Sequence, residues 1–472
     1  MHPNLVRFVA GIVLTVTTAV AADIAASSLS APALVVSAAA APNKPWNDFP
    51  TRIVSHLPDF HPQPAPELST YGGRLSERRA ATGFFRTEKT AARWWLIDPE
   101  GYRYINVAVV DVHIPPGSAA VKANLEKQFG SDQQWAKAAI TQMRDHGFNG
   151  TGGWSDDSVL RAASHPMVYT PIWNFMSEYG KIRGGTYLES GHIGYPNGCI
   201  YAFDPEFPAF CDQYAAKHLP ALKDDPWLLG HYSDNELPFY RKTLDNFLAL
   251  PSGDPGQKAA TAWIASRRAA ATSTSEISDA DRHAFLGFVA DRYLSITSAA
   301  IKKHDPNHLC LGSRFNSYEL DVAPVFEAAG RHLDLIAINY YRTWTPDQAR
   351  MQRWTDWSGK PFLITEWYAK GMDSGHSNMS GAGWTVKTQK DRGHFYQNFA
   401  LGLLEAKGCV GWHWFKYMDN DPDDQTTDPS NRNSNKGIVT IGFKPYSPLL
   451  DAMKELNSQV YPLADYFDTH RQ

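Results

Sequence analysis

The feature that most constrains the fold is an alternation, from Thr82 onward, of short apolar runs with longer stretches of helical periodicity. Eight such runs follow one another, at 104–110, 146–150, 167–172, 228–233, 308–312, 333–339, 361–365 and 409–414. Near-continuous apolar runs of this length are typical of strands that are buried on both faces, as in parallel sheets. The alternation therefore predicts an α/β protein with eight parallel strands.

We expect these strands to close into a (β/α)₈ TIM barrel, with a doubly wound sheet as the alternative. A dinucleotide-binding sheet carries Gly-x-Gly-x-x-Gly after its first strand, and no such motif follows 104–110. The runs 84–88 and 93–97 predict a short N-terminal β-hairpin. The barrel with this hairpin is expected to span 82–472.

The N-terminal residues have the pattern of a secretory signal peptide. Arg7 precedes an apolar run that ends in small residues near Ala22, and 37–41 offers a later cleavage site. Asp23 ends the run before it reaches the ~20 residues of a membrane span, and no later stretch is long and apolar enough. We predict a signal peptide at 1–41, secretion or periplasmic export without stable membrane insertion, and a proline-rich linker or wrapping segment at 42–81.

Charge and cysteine content exclude several classes of protein. The chain has 45 basic and 49 acidic residues and no basic run, so we expect no nucleic-acid partner. The four cysteines form no Cys-x-x-Cys pair, which argues against a structural zinc site. Cys199 and Cys211 are close enough in sequence to form a disulfide, whereas Cys310 and Cys409 lie in apolar runs.

Functional side chains of a (β/α)₈ barrel lie at the C-terminal ends of its strands. These ends carry carboxylates, amides and aromatic rings, among them Asp111, His113, Asn149, Trp154, Asn235, Glu236, Tyr340, Tyr341, Glu366, Trp412, His413 and Trp414. A sugar suits this mixture, because its hydroxyls bond to amides and carboxylates while its C–H face stacks on an indole. Phosphate suits it poorly, since no Gly-rich loop or cluster of Lys and Arg is present.

Two glutamates stand at such ends, Glu236 after the fourth strand and Glu366 after the seventh. Hydrolysis of a glycosidic bond needs one carboxylic acid to protonate the leaving oxygen and one carboxylate to attack or stabilise the anomeric carbon. Glutamate also caps helix N-termini, which is the structural alternative for each residue. Two glutamates on strands 4 and 7, with Asn235 before the first, favour the catalytic interpretation.

The segments around these glutamates resemble a known family. The Asn-Glu pair and the strand-7 Glu resemble clan A of the glycoside hydrolases, which are retaining enzymes on (β/α)₈ barrels. More narrowly, 230–237, Thr365-Glu366-Trp367 with Asp373-Ser374-Gly375, 410–419 and 93–101 resemble the beta-agarases of glycoside hydrolase family 50. The resemblance covers residues 82 to 460 in patches.

The resemblance implies a role for each matched residue. Glu236 would be the acid/base and Glu366 the nucleophile, and Asn235 would bind the 2-hydroxyl of the sugar. Either Tyr340 or Tyr341 would donate a hydrogen bond to the nucleophile and keep it ionised.

The remaining site candidates rest on position in the predicted barrel. We expect only one of Trp412 and Trp414 to face the interior, with Trp414 as the stacking platform and His413 near the rim. Interior packing is the alternative for these aromatic side chains. Asp111, His113, Asn149 and Trp154 are further candidates because they follow strands 1 and 2.

The resemblance implies an exported retaining hydrolase that cleaves a β-galactan or agarose-like polysaccharide by double displacement, without metal or cofactor. Two alternatives stay open. One is a catalytically silent carbohydrate-binding protein on the same barrel. The other is a metal-dependent hydrolase that uses Asp111, His113 and the acidic loop 419–424, although that loop does not match the EF-hand spacing and is interpreted as a solvated loop over the cleft.

Overall fold

The backbone follows the predicted alternation of strands and helices. The computed structural model describes residues 34–470 apart from 77, 92, 164, 190, 191 and 271–275. The apolar run of the predicted signal peptide, 8–22, lies outside the described residues.

The described residues contain seventeen strands, of which eight form the parallel sheets. In chain order they are β1 (Val35–Ala39), β2 (Asn47–Pro50), β3 (Arg86–Thr90), β4 (Arg93–Ile97), β5 (Arg103–Tyr104), β6 (Asn106–Val109), β7 (Gly150–Thr151), β8 (Val168–Tyr169), β9 (Tyr187–Glu189), β10 (His192–Gly194), β11 (Gly230–Asn235), β12 (Leu309–Arg314), β13 (Ile336–Asn339), β14 (Phe362–Glu366), β15 (Ala369–Gly371), β16 (Trp384–Val386) and β17 (Cys409–Trp414).

Helices occupy most of the connections between the parallel strands. They are α1 (Ala119–Phe129), α2 (Asp132–Asp145), α3 (Asp157–Leu160), α4 (Phe175–Arg183), α5 (Phe207–His218), α6 (Thr243–Leu248), α7 (Pro255–Ala270), α8 (Asp279–His304), α9 (Ala323–His332), α10 (Gln348–Ser358), α11 (Gln389–Glu405), α12 (Ser447–Asn457) and α13 (Val460–Thr469). Short 3-10 turns lie at Val54–His56, Pro196–Gly198, Tyr318–Asp321 and Met372–Ser374.

The parallel strands form two sheets. One has the order β13-β14-β17-β6-β7-β8, and the other pairs β11 with β12. Single parallel bridges link Tyr169 to Leu228 on one side and Phe315 to Ile338 on the other, so the small sheet is joined to both edges of the large one. All eight predicted apolar runs overlap one of these strands, which confirms the α/β class.

Helix α8 illustrates how local sequence sets the helix ends. Ser278 caps it by accepting a hydrogen bond from the amide of Asp281, whose side chain bonds back to the amide of Ser278. This helix is also long and apolar enough to pass a membrane-span test by length and composition, contrary to our expectation for the mature chain. Two thirds of its most apolar window (67%) is buried inside the protein, as in a core helix.

The N-terminal segment is part of the folded unit from Val35 onward. Strand β1 pairs antiparallel with both β2 and β16, and Ala38 and Ala39 are fully buried. A signal peptide ending at 41 would remove this paired strand from the folded unit. The segment 42–81 wraps the body, for example where the Val54 amide donates to Gln397.

The predicted hairpin is present in the structure, whereas the disulfide that the sequence allows is not formed. Strands β3 and β4 pair antiparallel, and β5 adds a third strand through the turn at 98–101. Cys199 and Cys211 are both free and buried, so they do not form the disulfide that their spacing allows. Both thiols belong to the apolar core, where they pack as small hydrophobic side chains.

Candidate active site

A cavity of about 850 Å³ lies at the carboxyl ends of the parallel strands. It is lined by Asp111, His113, Pro116, Trp154, Ser155, Asp157, Pro171, Ile172, Asn174, His192, Asn235, Glu236, Asn316, Tyr341, Glu366, Tyr368, Gly381, Ala382, Phe415, Asp428, Ser430, Asn431 and Lys436. The strand-end rule therefore brings both glutamates to one cavity, although they are far apart in sequence.

Glu366 ends β14 and is the more deeply buried of the two glutamates. Arg314 at the end of β12 donates to its Oε1 at 2.6 Å, and the Tyr341 hydroxyl donates to its Oε2 at 2.6 Å. Burial, together with the charge of Glu236, raises the pKa of Glu366 to about 7, while Arg314 and Tyr341 act to lower it. The two donors therefore favour the carboxylate form that burial opposes.

Glu236 follows β11 and is held at both oxygens. Asn339 donates to Oε1 at 2.6 Å, and the Nε2 of His192 lies 3.1 Å from Oε2.

Asn339 connects the two strand ends that carry the glutamates. Its Nδ2 also donates to the Oδ1 of Asn235 at 3.2 Å, and its Oδ1 accepts from the Thr365 hydroxyl at 2.7 Å. This network fixes the orientation of the amide and places Asn235 beside Glu236 at the cavity surface.

The two neighbouring tyrosines have different surroundings. Tyr341 lines the cavity and donates to Glu366, as described above. Tyr340 is buried, packs against Trp354 and Phe399, and accepts a hydrogen bond from the Asp347 amide at 3.2 Å. The alternative left open by the sequence is thus decided for Tyr341 by the geometry.

The expected stacking role of Trp414 is wrong. Trp414 is fully buried and donates to the backbone of Lys436, and Trp412 is buried and donates to the Tyr396 hydroxyl. Residues two apart on a strand share a face, so both indoles point toward the helices while His413 between them points inward.

His413 does not reach the rim either. It is fully buried, and its Nε2 lies 2.6 Å from the Oδ1 of Asn106. Burial, with the charge of Arg314 adding to it, lowers the pKa of His413 to about 3. A neutral ring in this position is a structural group of the sheet interior.

Asn149 is the other candidate that lies away from the cavity. It precedes β7, at the N-terminal end of the strand, and its Oδ1 accepts from the Tyr104 hydroxyl at 2.8 Å and the Val107 amide at 2.8 Å. The predicted strand 2 begins at His146, which places Asn149 too far toward the carboxyl end. The observed strand begins at Gly150.

His113 and Trp154 line the cavity as expected. Trp154 lies under the guanidinium of Arg314, whose Cζ is 4.4 Å from the ring centroid. The Nδ1 of His113 lies 2.8 Å from Asp111, which raises the pKa of His113 against the opposing effect of burial.

Asp111 is not arranged as a metal ligand. The ammonium of Lys416 lies 2.5 Å from its Oδ2, and Lys416 and His113 together hold the pKa of Asp111 well below its usual range although burial favours the neutral acid. Within the described ranges, the group with metal-ligand spacing is His231, Asp305 and His308. Its Nδ1 and Nε2 atoms are already bonded to Trp173, Asp305 and the backbone of Asp225.

Several side chains of the site were not assigned roles from the sequence. His192 lies on the β9–β10 hairpin within a long connection, and Lys436 lies in the loop after β17, so neither marks a strand end. Arg314 ends β12, and no role was assigned to it from the sequence. The available signal was a charged residue shortly after the apolar run 308–312.

Comparison with known proteins supports a family assignment. No protein-family model matches the chain. Beta-agarase B and beta-agarase A of Vibrio sp. (strain JT0107) are each 26% identical to it, over 84% and 76% of this chain and 50% and 40% of their own length. The chain thus spans about half the length, or less, of these curated relatives.

Solved structures extend this similarity. An agarase structure, AgWH50C, shares the fold with 23% identity and a TM-score of 0.69, and covers 85% of this chain and 67% of its own. The crystal structure of BpGH50 is 31% identical, with a TM-score of 0.82 over 93% of this chain and 96% of its own. On that match across nearly both whole chains, this chain belongs to glycoside hydrolase family 50.

Proposed function

We propose that this chain is a retaining glycoside hydrolase that cleaves β-glycosidic bonds of an agarose-like galactan. The observation that carries the proposal is the pair Glu236 and Glu366 on one cavity, each with both carboxyl oxygens held by partners. A catalytically silent binding protein has no need for such a pair, because hydrogen bonds to sugar hydroxyls can come from neutral side chains.

In this mechanism Glu366 is the nucleophile. Arg314 and Tyr341 fix its carboxylate and favour the ionised form, and the carboxylate attacks the anomeric carbon. Glu236 protonates the leaving oxygen as the bond breaks. Glu236 then deprotonates a water molecule, which releases the sugar from Glu366 with its configuration retained.

Closure of the parallel strands into a barrel would support these roles for the two glutamates. We propose that the eight parallel strands form a closed (β/α)₈ barrel, in which the two sheets are joined by the bridges at Tyr169–Leu228 and Phe315–Ile338. In such a barrel the ends of strands 4 and 7, which carry the two glutamates, face one common mouth.

The substrate class and the compartment are inferred from the relatives and from the N-terminal sequence. The curated relatives are named beta-agarases, which favours a β-galactan over a β-glucan. Export is supported by the signal-like run 8–22, and the paired strand β1 limits cleavage to a site before Val35. N-terminal sequencing of the secreted protein should therefore begin between Ala22 and Leu34, and a mature chain beginning at Asn43 would contradict this limit.

The test of the function compares substrates and variants. Agarose, other galactans and β-glucans are incubated with the protein, and the reducing sugar released and the anomer of the first product are measured, the latter by NMR. We expect cleavage of agarose and a β-configured product. Glu366→Ala should abolish turnover, and added azide should restore an inverted glycosyl azide product. An inverted wild-type product would exclude the retaining mechanism, and full activity of Glu366→Ala would exclude the proposed function.

A further inference from the structure

We propose that His192 is a positioning residue for the acid/base Glu236, and that its other ring nitrogen accepts a hydrogen bond from a hydroxyl of the leaving-group sugar. The inference rests on the proposed function, because it assigns the acid role to Glu236. It adds a residue, on a separate hairpin, that recognises one side of the scissile bond.

The first step is the geometry at Glu236. Asn339 donates through its Nδ2 to Oε1, and we assign the acidic proton of Glu236 to the other oxygen, Oε2. Oε2 is the oxygen that lies 3.1 Å from the Nε2 of His192. A hydrogen on Nε2 can donate to the remaining lone pair of Oε2 in both protonation states of Glu236. This arrangement leaves the acidic proton free to point at the glycosidic oxygen.

The second step concerns the other nitrogen of the same ring. With the hydrogen on Nε2, the Nδ1 atom of a neutral imidazole is an acceptor. Among the residues that the structure describes, this buried Nδ1 has no hydrogen-bond partner, although the whole side chain of His192 is 33% exposed. A buried acceptor without a partner is costly. A sugar hydroxyl has the chemistry to donate to it.

The third step locates the leaving group. Besides the main cavity, His192 and Glu236 together line a second cavity of about 320 Å³ and a third of about 180 Å³. Glu366 lines neither of these two. Because the acid protonates the leaving oxygen, the leaving sugar lies on the Glu236 side. The β9–β10 hairpin thus forms the wall of the leaving-group side.

This arrangement gives His192 a specific kinetic signature. A substrate with a good leaving group needs no acid, whereas a sugar leaving group does. Misplacement of a catalytic group by about 1 Å can cost ~100-fold in rate. Loss of His192 should therefore slow cleavage between sugars far more than cleavage of an activated aryl glycoside.

The experiment compares His192→Ala and His192→Gln on two substrates, an agarose-derived oligosaccharide and the 2,4-dinitrophenyl glycoside of its disaccharide unit. For His192→Ala we expect kcat/KM on the oligosaccharide to fall about 10- to 100-fold, with less than about threefold loss on the aryl glycoside. Glutamine can still donate to Oε2 but lacks the Nδ1 acceptor. His192→Gln should therefore restore kcat while KM for the oligosaccharide stays raised.

Each outcome has a separate meaning. Equal losses on both substrates would reduce His192 to a structural role and overturn the proposal. Recovery of both kcat and KM by glutamine would overturn the hydroxyl contact. Failure of the proposed function itself is distinguishable, because Glu366→Ala would then retain activity on both substrates whatever residue stands at 192.

Discussion

The guanidinium of Arg314 lies 2.6 Å from Oε1 of Glu366, and both side chains are buried at the wall of the cavity. Burial raises the pKa of Glu366 to about 7, and Arg314 is the largest opposing influence. The charge of the proposed nucleophile thus depends most on Arg314, a cation that the solvent does not reach.

The pH dependence of wild-type kcat/KM should show an acid limb set by the pKa of Glu366. A nucleophile must be ionised, so kcat/KM should fall below about pH 7, approaching tenfold per pH unit as Glu366 takes up its proton. The profile is measured with an oligosaccharide at concentrations well below KM. An acid limb near the ordinary glutamate range, about 4, would show that another group controls this side of the profile.

Replacement of Arg314 by Met should shift that acid limb to higher pH. Without Arg314, burial and Glu236 act on Glu366 with the weaker influences of Tyr341 and Lys436 left to oppose them, so its pKa rises further and activity at pH 7 falls about tenfold. Arg314→Lys, the matched control, keeps the charge and should leave the limb closer to wild type. An acid limb that does not shift in Arg314→Met would contradict the dependence of the Glu366 pKa on Arg314.

Tyr341→Phe and Tyr340→Phe form a matched pair at adjacent positions. The Tyr341 hydroxyl donates to Glu366, whereas the Tyr340 hydroxyl bonds to the Asp347 amide. Tyr341→Phe should lower kcat about 10- to 100-fold, because a hydrogen bond to a charged group contributes about 1.5–3 kcal/mol. Tyr340→Phe should leave kcat within about twofold. Burst kinetics with an aryl glycoside would locate the effect in the covalent step, and equal rates for the two variants would refute the assignment.

Replacing two different tryptophans should have two different effects, one on the stability of the fold and the other on substrate binding. Trp414 is fully buried against Trp367 and Tyr396, so Trp414→Ala should cost about 3–5 kcal/mol of unfolding free energy. Trp154 lines the cavity, and Trp154→Phe should instead raise KM with a small change in Tm. Thermal melts and steady-state kinetics on both variants test the contrast. Raised KM with unchanged Tm in Trp414→Ala would restore the stacking role.

Asp157 should make stability depend on pH. Its Oδ1 is buried and has no hydrogen-bond partner within the described part of the chain, and burial raises the pKa of Asp157 to about 8. The unfolded chain releases this proton near pH 4, so between about pH 4 and 8 the folded protein holds more protons and its stability falls as pH rises. Asp157→Asn removes this loss. Its Tm should exceed that of wild type more at pH 8 than at pH 5, and a difference independent of pH would contradict the raised pKa.

Most strand ends could be predicted from the sequence because each buried parallel strand is visible as an apolar run. The polar side chains of the cavity come directly after such runs. Glu236, Glu366 and Tyr341 were found in this way. An error of a few residues in one boundary was enough to misplace Asn149. Residues 412 and 414 are two apart on one strand and share a face, so the expectation that only one of their indoles faces the interior was wrong. Packing against Tyr396, and not periodicity, decides which face that is.

His192 and Lys436 show the limit of such an argument. Both reach the cavity from the long connections around the parallel strands, where the backbone path depends on contacts made far along the chain. His192 meets Glu236 because the β9–β10 hairpin reaches the residue that follows β11. No periodic pattern within 173–226 predicts the contact between His192 and Glu236, because that contact depends on tertiary packing.

Four residues that line the cavity, Asp111, Trp154, Asn174 and Glu236, have left-handed backbones with φ between 46° and 61°. Such conformations cost roughly 1–3 kcal/mol each in residues other than glycine and persist only where the surrounding structure enforces them. A lineage that kept this fold but lost its catalysis would be free to relax them. Glycine would then accumulate at positions 111, 154 and 236, and the protein would become more stable as it became inert.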